Sequence, residues 1–438
     1  MQRIEIKHFG PIEDLQLDIK DFMLFIGPQA SGKSTIAKTI FFFKSLQNDW
    51  VDFLRETIEK NDFSNSMETF TKNIRKKFFE YFGLNNPNDL YLKYSYNSLL
   101  HITITSREQG YVNAVFSEQF EIFTKHFVKE CEDFKNSLTI ETDSRSMSTK
   151  AFLKYSTQIN EFVRYLTASS NSIFEESREM IFIPAGRSLL ATLTDQLQVI
   201  EQQKLDVLMR SFVKKINILK PLFKQSLSEM VKARELLTQS EIDFEKTKIA
   251  EEIIQRILQG KYQYDNDGEK IYYENGKYVR LNYSSSGQQE SLWILLLLFV
   301  VILQQQNVFI VIEEPEAHLF PEAQKEISAL IALVSNMKQS QVIITTHSPY
   351  ILASINNLIL ADKVGTIAPA EVSKKVNQQV WINRDKVYAA LVEQGKVSDI
   401  IDKDWNLIQQ EQIDTVSRQI NEEFDFLYQY EPEDGENM

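Results

Sequence analysis

The chain has 438 residues, of which 43% are hydrophobic and 25% charged, a composition typical of a soluble globular protein with a sizeable core. Its 48 Lys and Arg residues face 61 Asp and Glu residues, and the net charge of −13 argues against a surface that binds DNA all over. A local basic patch stays compatible with that charge. The only cysteine, Cys131, excludes an intramolecular disulfide and favours a reducing cytoplasm.

The first 40 residues predict strands that lead into a helix. Apolar and polar residues alternate up to Ile19, and Phe22–Ile26 is a continuous apolar strand that ends at Gly27. No apolar signal-peptide segment occurs here, so the protein is predicted to be cytoplasmic. Residues 41–180 predict a mostly helical insertion with a strand pair near 91–96 and 99–105.

The rest of the chain predicts one α/β domain that residues 1–40 complete. Residues 181–183 predict a return to the sheet, about 195–260 a helical arm broken by Pro221, and 261–283 a hairpin or meander. The apolar run 292–303 is shorter than the roughly 20 residues that a membrane-spanning helix needs, and it predicts a buried helix. Strands at 308–312, 342–346 and 358–360 alternate with helices from Pro321 and Pro349, which predicts a mostly parallel sheet. The acidic tail, 431–438, is predicted to be disordered.

The segment Gly27-Pro-Gln-Ala-Ser-Gly-Lys-Ser34 matches the phosphate-loop pattern G-x-x-x-x-G-K-[ST], between an apolar strand and a helix. Its backbone N–H groups and the helix N-terminus would cradle phosphates, Lys33 would reach the β- and γ-phosphates, and Ser34 would bind Mg²⁺. A glycine turn followed by a surface lysine is the alternative. The predicted nucleotide-binding residues of this loop are Gly27, Gln29, Ala30, Ser31, Gly32, Lys33, Ser34 and Thr35.

Two further strands are predicted to deliver polar residues to the same edge of the sheet. The strand 308–312 ends in Glu313-Glu314, where Glu313 could hold Mg²⁺ and Glu314 could activate the attacking water. The strand 342–346 ends at His347, which could sense the γ-phosphate. A charged turn, and a helix cap in which Ser348 caps and Pro349 begins the helix, are the alternatives at these two positions.

A serine- and glycine-containing loop, Ser284-Ser-Ser-Gly-Gln-Gln289, precedes the apolar helix and is a second candidate anion site. Its predicted nucleotide-binding residues are Ser285, Ser286 and Gly287. Such turns are common, and a chain with one phosphate loop has no evident need for another. We therefore expect this loop to bind the nucleotide held by a partner molecule.

The order of these motifs resembles the ABC/SMC-type ATPases, and more narrowly the ATPase part of the overcoming-lysogenization-defect (OLD) group and related anti-phage defence ATPases. The resemblance implies an α/β P-loop NTPase of ABC/SMC type with a large, mostly helical insertion. It covers 1–40 and about 181–430 and leaves 41–180 unplaced. It also implies ATP and Mg²⁺ as cofactors and a homodimer or higher homo-oligomer formed through the ATPase heads.

Residue by residue, the resemblance gives Ser285 and Gly287 the role of the signature motif, which in the family binds the γ-phosphate across the dimer interface. Glu313 matches the Walker B acid, Glu314 the catalytic glutamate and His347 the switch histidine. The sequence departs from the family in three ways: Glu stands for the more usual Asp in Walker B, the signature lacks its leading Leu and one Gly, and no Q-loop glutamine can be placed.

Two other segments bear on function. The stretch 183–188, Ile-Pro-Ala-Gly-Arg-Ser, also resembles such defence ATPases, and its Arg187 is expected to approach phosphate or a partner. An OLD-type nuclease continues into a Toprim domain that carries a set of metal-binding acidic residues. Asp399, Asp402 and Asp404 of this chain do not reproduce that arrangement. We therefore predict an ATPase that is not itself a nuclease and that works with an effector protein, a nuclease or a toxin.

Other function classes stay open on sequence alone. A DNA-repair or chromosome-associated SMC/RecF-like ATPase would clamp DNA, with the basic cluster 72–77 as a contact, although that cluster also fits a solvated helix face. A scaffold with a dead nucleotide site is disfavoured by the intact acidic pair and histidine. A membrane transport ATPase is disfavoured by the large insertion.

Overall fold

Strand and helix segments alternate along most of the chain and build three β-sheets that share helices between them. The computed structural model describes residues 2–83, 89–107, 111–138, 149–188, 190, 205–237, 243–402, 404–409, 415–428 and 430. The predicted acidic tail 431–438 lies outside the described residues.

The central sheet has six strands in the order β14-β13-β3-β12-β11-β7, and all except the edge strand β14 run parallel. Helices or the second sheet cover both of its faces, which explains why its inner strands are continuous apolar runs. The carboxyl ends of the parallel strands meet at one edge, and the phosphate loop, the acidic pair and His347 follow strands there. The strands are β3 (Phe22–Ile26), β7 (Glu179–Ile183), β11 (Val308–Glu313), β12 (Gln341–Thr346), β13 (Val387–Glu393) and β14 (Lys396–Asp399).

A second, antiparallel sheet combines N-terminal strands with strands from the predicted insertion, in the order β2-β1-β4-β5-β6. The strand pair expected near 91–96 and 99–105 is confirmed, and a third strand follows it. Helix α1 runs without a break through the predicted boundary at residue 40, so the described part of 41–180 continues the N-terminal fold. The elements are β1 (Arg3–Phe9), β2 (Ile12–Asp18), α1 (Lys33–Lys60), α2 (Ser66–Phe82), β4 (Tyr91–Ser95), β5 (His101–Arg107), β6 (Tyr111–Phe116), α3 (Glu118–Ser137) and α4 (Thr149–Ile173).

The described residues of the segment predicted as a helical arm form three helices, and a short 3-10 turn at Lys220–Lys224 interrupts them at Pro221. In the described part of this segment, buried side chains such as Phe212, Met230 and Ile253 pack into the core of the central sheet. The expected meander after Gly260 is a three-stranded antiparallel sheet. The elements are α5 (Val207–Leu219), α6 (Leu227–Leu237), α7 (Phe244–Leu258), β8 (Lys261–Asp265), β9 (Gly268–Tyr272) and β10 (Tyr278–Arg280).

The predicted buried helix is α8 (Ser286–Gln304), in which every residue from Glu290 to Leu303 is buried. By length and composition it could cross a membrane, but 83% of its most apolar window lies inside the protein, as expected for a core helix. The remaining helices are α9 (Pro321–Ser335), α10 (Pro349–Gly365), α11 (Pro369–Ser373) and α12 (Thr415–Tyr428).

The strand expected at 358–360 is wrong, because these residues lie inside helix α10. A short apolar run fits a strand or a buried helix equally well. Here the Ser348 cap and Pro349 start a helix, and its buried residues Ile351, Ile355 and Ile359 recur at helical spacing. The helix outcompetes the strand because that spacing places one apolar face on the core.

Candidate active site

The phosphate-loop segment connects the end of β3 to the first turn of α1, as the pattern predicts. Gly32 adopts a left-handed φ of 110°, and a Cβ at this position would come within 2.4 Å of the Ile12 side chain. Only glycine fits here, since both the backbone angle and the space exclude a side chain. Pro11, in the turn between β1 and β2, lies 3.0 Å from the same Cβ position, so this turn packs against the phosphate loop.

Lys33 folds back over the loop that precedes it. Its ammonium donates to the carbonyl oxygens of Gly27 at 2.8 Å and Pro28 at 2.6 Å, and the residue is only 5% exposed. Burial lowers the pKa of Lys33 below its ordinary value, and the carboxylates of Glu314 and Glu316 oppose that shift. The cation is thus held at the loop that the sequence predicts to bind phosphate.

Glu313 ends strand β11 and is 4% exposed. Its Oε2 accepts a hydrogen bond from the backbone N–H of Ala185 at 3.3 Å, whereas its Oε1 is buried and has no hydrogen-bond partner. A buried carboxylate oxygen without a donor is costly unless a cation binds it, so the donor set fits a hard cation such as Mg²⁺. Ser34, an exposed residue in the first turn of α1, would supply a hydroxyl, and the phosphates themselves would supply further oxygen ligands.

Three polar side chains form a row at the carboxyl edge of the sheet, in the order Lys33, His347, Glu314. Lys33 Nζ lies 3.4 Å from His347 Nδ1, and His347 Nε2 lies 3.2 Å from Glu314 Oε1. Because a protonated lysine can only donate, Nδ1 accepts and Nε2 carries the proton that faces Glu314. The neighbouring strands β3, β12 and β11 bring together residues that are about 300 positions apart in the chain.

Glu316 joins the loop after β11 to the end of β12. Its Oε1 accepts hydrogen bonds from the Thr346 hydroxyl and from the backbone N–H of His347, both at 2.7 Å. On the other side of His347, the Ser348 side chain caps α10 by accepting from the backbone N–H groups of Tyr350 and Ile351, as predicted. The backbone of His347 is therefore fixed from both sides.

The serine- and glycine-containing loop caps α8. Ser285 is the N-cap residue, and its side chain and that of Gln288 form a reciprocal capping box. Ser285 and Gly287 line a cleft of about 430 Å³ together with His318 and Phe320. None of residues 27–35 lines this cleft.

Arg187 is 1% exposed, and its guanidinium donates to backbone carbonyl oxygens, among them those of Glu313 at 2.7 Å and Glu314 at 2.8 Å. The expectation that Arg187 approaches phosphate or a partner is wrong, because its donors are already bonded inside the protein. The signal for its real environment was in the sequence: Glu290 is the one charged residue of α8, and a buried carboxylate requires a donor or a cation.

The basic cluster 72–77 lies on helix α2. Lys77 donates to the Asp49 carboxylate and to Ser45, and Arg75 donates to the Asn113 side chain. Lys76 lies 3.8 Å from Glu80. Arg75 and Lys77 are also half-buried, so the cluster is neither a fully solvated helix face nor freely available to DNA.

The family model described as "AAA ATPase domain" matches residues 1–352. An OLD nuclease from Thermus scotoductus is 24% identical over 357 residues, which cover 81% of this chain and 60% of that relative's length. Among solved structures, an SMC head bound to the C-winged helix domain of ScpA has 13% identity and a TM-score of 0.42, covering 91% of this chain and 97% of that one. The SMC head domain from Thermotoga maritima has 11% identity and a TM-score of 0.32, with 80% and 90% covered.

Proposed function

The chain belongs to the AAA ATPase domain family, and from that premise we propose that it binds and hydrolyses MgATP as a nucleotide-driven dimerisation switch. The supporting observation is that two parts of one chain carry different predicted nucleotide contacts. Lys33, His347 and Glu314 meet at one sheet edge, whereas Ser285 and Gly287 line a cleft whose walls include none of residues 27–35. Each head thus offers a hydrolysing half-site and a separate half-site for another head's nucleotide.

In the proposed mechanism, the phosphate loop binds the phosphates and Lys33 exchanges its carbonyl partners for phosphate oxygens. Ser34 and Glu313 would hold Mg²⁺, which would supply positive charge against the phosphates. Glu314 accepts the proton of the attacking water, and His347 orients Glu314 through the hydrogen bond from Nε2. The signature loop of the second head, with Ser285 and Gly287, completes the site around the γ-phosphate.

Glu314→Gln tests the catalytic role. We expect turnover to fall by about 100-fold or more with ATP affinity retained, because the amide cannot accept the proton. In MgATP the variant should accumulate as a dimer in size-exclusion chromatography with light scattering. Glu179→Gln, at the opposite edge of the sheet beside Lys215, is the matched control and should keep wild-type turnover. Normal hydrolysis by Glu314→Gln would refute the assignment.

Mixing two inactive variants tests whether the site is shared. Lys33→Ala should lose ATP binding, and Gly287→Ala should disable the signature loop of its own chain. A mixed dimer contains one intact composite site, so mixing should restore up to about a quarter of wild-type turnover, since half of the random dimers are mixed. Full activity of Gly287→Ala alone, or of a monomer in saturating MgATP, would overturn the switch.

We further propose that this switch serves a bacterial anti-phage defence system and acts with an effector protein, a nuclease or a toxin. The OLD nuclease relative supports the link to defence, and since the match covers 60% of that relative, we do not carry its nuclease activity to this chain. Co-expression with the protein encoded beside it should give phage protection that Glu314→Gln abolishes. Steeply salt-dependent DNA binding by the purified chain would instead favour the DNA clamp.

A further inference from the structure

Two buried residues of opposite charge, Arg187 and Glu290, connect helix α8 to the loop after β7, and we call them the Arg187–Glu290 clamp. Arg187 is 1% exposed and Glu290 is 2% exposed. The Glu290 carboxylate accepts from the backbone N–H groups of Arg187 at 2.9 Å and Ser188 at 2.8 Å. The Arg187 Nε donates to the Glu290 carbonyl oxygen at 3.0 Å. The start of α8 is therefore fixed to this loop by both side chains.

The other end of the same guanidinium holds the backbone at the proposed catalytic glutamate. Arg187 Nη1 donates to the carbonyl oxygens of Pro184 at 2.6 Å and Glu313 at 2.7 Å, and Nη2 donates to that of Glu314 at 2.8 Å. Glu314 has a left-handed φ of 46°, a backbone conformation that is unfavourable for a residue other than glycine. The Arg187 guanidinium bonds the carbonyl oxygen of Glu314, and the carbonyl oxygen of Thr345 accepts from the Glu314 N–H at 2.8 Å. These two hydrogen bonds hold Glu314 in this conformation.

A second contact, which involves no charged side chain, joins the start of α8 to the loop that follows Glu314. A Cβ on Gly287 would lie 2.8 Å from the carbonyl oxygen of His318, four residues after Glu314. The signature loop therefore lies directly against the backbone that follows the acidic pair. His318 is also left-handed, with a φ of 58°, so this backbone is held in a conformation that it does not adopt freely.

We propose that the Arg187–Glu290 clamp couples the two nucleotide sites of a dimer, with Arg187 as a positioning residue. The inference rests on the proposed function. Within one chain, Ser285–Gly287 faces the partner's nucleotide, whereas Glu314 acts on the chain's own nucleotide. When the signature loop docks on the partner's nucleotide, the contact applies a force to the first turns of α8. The Arg187–Glu290 clamp passes this force to the left-handed backbone of Glu314. Each head's engagement of its partner's ATP thus raises the activity of its own glutamate, and the mixed dimer of Lys33→Ala and Gly287→Ala, whose intact site lacks that engagement, should stay well below a quarter of wild-type turnover.

Arg187→Lys tests the coupling in the full-length chain. The ammonium keeps the charge but cannot bond the Glu290, Glu313 and Glu314 carbonyl oxygens together. We expect kcat to fall by about tenfold or more, the ATP Kd to change by less than about twofold, and the Hill coefficient for ATP to fall to 1. Arg178→Lys, which keeps an ion pair with Glu176 at the start of β7, is the matched control and should retain wild-type kcat and cooperativity.

Glu290→Gln and the double variant separate positioning from general damage. The amide places a donor against a backbone N–H, so Glu290→Gln should lower kcat as Arg187→Lys does, and the double variant should be no slower than the slower single variant. Unchanged kcat and Hill coefficient in Arg187→Lys, or a parallel loss of ATP affinity, would overturn the clamp. A wild-type Hill coefficient of 1 would refute the proposed pairing of heads and this coupling, whereas kcat of Arg187→Lys would still report whether Arg187 positions Glu314.

Discussion

Lys44→Met tests the buried ion pair that joins α1, the helix of the phosphate loop, to the segment before β7. The Lys44 ammonium donates to the Glu176 carboxylate and, at 2.7 Å, to Gln2 Oε1. The side chains of Lys44 and Glu176 are 0% and 1% exposed. Methionine fills much of the same space without a charge, so the substitution removes the cation and leaves the Glu176 carboxylate buried.

The expected loss follows from what remains around that carboxylate. Breaking a buried pair by removing one partner costs about 3–5 kcal/mol. Glu176 keeps the Arg178 guanidinium at 2.9 Å and the backbone N–H groups of Ser177 and Arg178 at 3.1 Å, so we expect a loss near the lower limit. For 438 residues the unfolding entropy is about 0.9 kcal/mol/K, and a loss of about 3 kcal/mol lowers Tm by about 3 °C.

Thermal unfolding followed by circular dichroism at neutral pH measures this change. Glu176→Gln should be destabilised as well, because it leaves the Lys44 cation buried beside an amide. The double variant should recover part of the loss, because no unpaired charge stays inside. A Tm for Lys44→Met equal to or above that of the wild type would show that the pair contributes nothing to stability, and the reasoning would be wrong.

Three other predictions concern the site and the same lysine. Gly32→Ala should lose ATP binding in a fluorescent-nucleotide titration, because its Cβ would clash with Ile12, whereas Gly83→Ala, left-handed but in open space, should bind normally. His347→Ala should lower kcat by about 100-fold in a phosphate-release assay with the ATP Kd unchanged within about twofold, and a parallel loss of affinity would contradict an orienting role. Burial lowers the pKa of Lys44 to about 8, so between pH 8 and its unfolded value of 10.5 the unfolded chain binds more protons than the folded one. The neutral amine still donates to Glu176 and Gln2, which methionine cannot do, so the stability of the wild type relative to Lys44→Met should rise with pH in this range. A fall in denaturant titrations would refute the shift.

The sequence predicts those parts of the site that one contiguous motif carries. The phosphate loop, the acidic pair after β11 and the Ser348 cap each combine a strand end with a turn residue whose chemistry is local. The strands and helices around them follow from apolar periodicity, and the central parallel sheet follows from their alternation. The side-chain roles assigned to these motifs remain predictions until the variants are measured.

Long-range pairing is what the sequence alone does not reveal. Arg187 and Glu290 are 103 positions apart, and nothing local tells an arginine that binds phosphate from one that holds backbone carbonyl oxygens. The antiparallel sheet is a similar case, because the alternation in β4 does not identify β1 as its neighbour. Glu290 is a lone charged residue in a mostly apolar helix, which does indicate a buried partner. Only the fold identifies that partner as Arg187.

The encasement of α8 limits how this protein can move. From Glu290 onward the helix is surrounded by the interior, so it cannot swing, unwind or slide without opening densely packed apolar contacts. A flexible loop could close over a nucleotide by itself. The cap at Ser285 instead continues into the buried helix α8, so it can move only together with the domain around that helix. In the proposed dimer, the second head would therefore meet a rigid cap at Ser285, and the fit would depend on the shapes of the two surfaces.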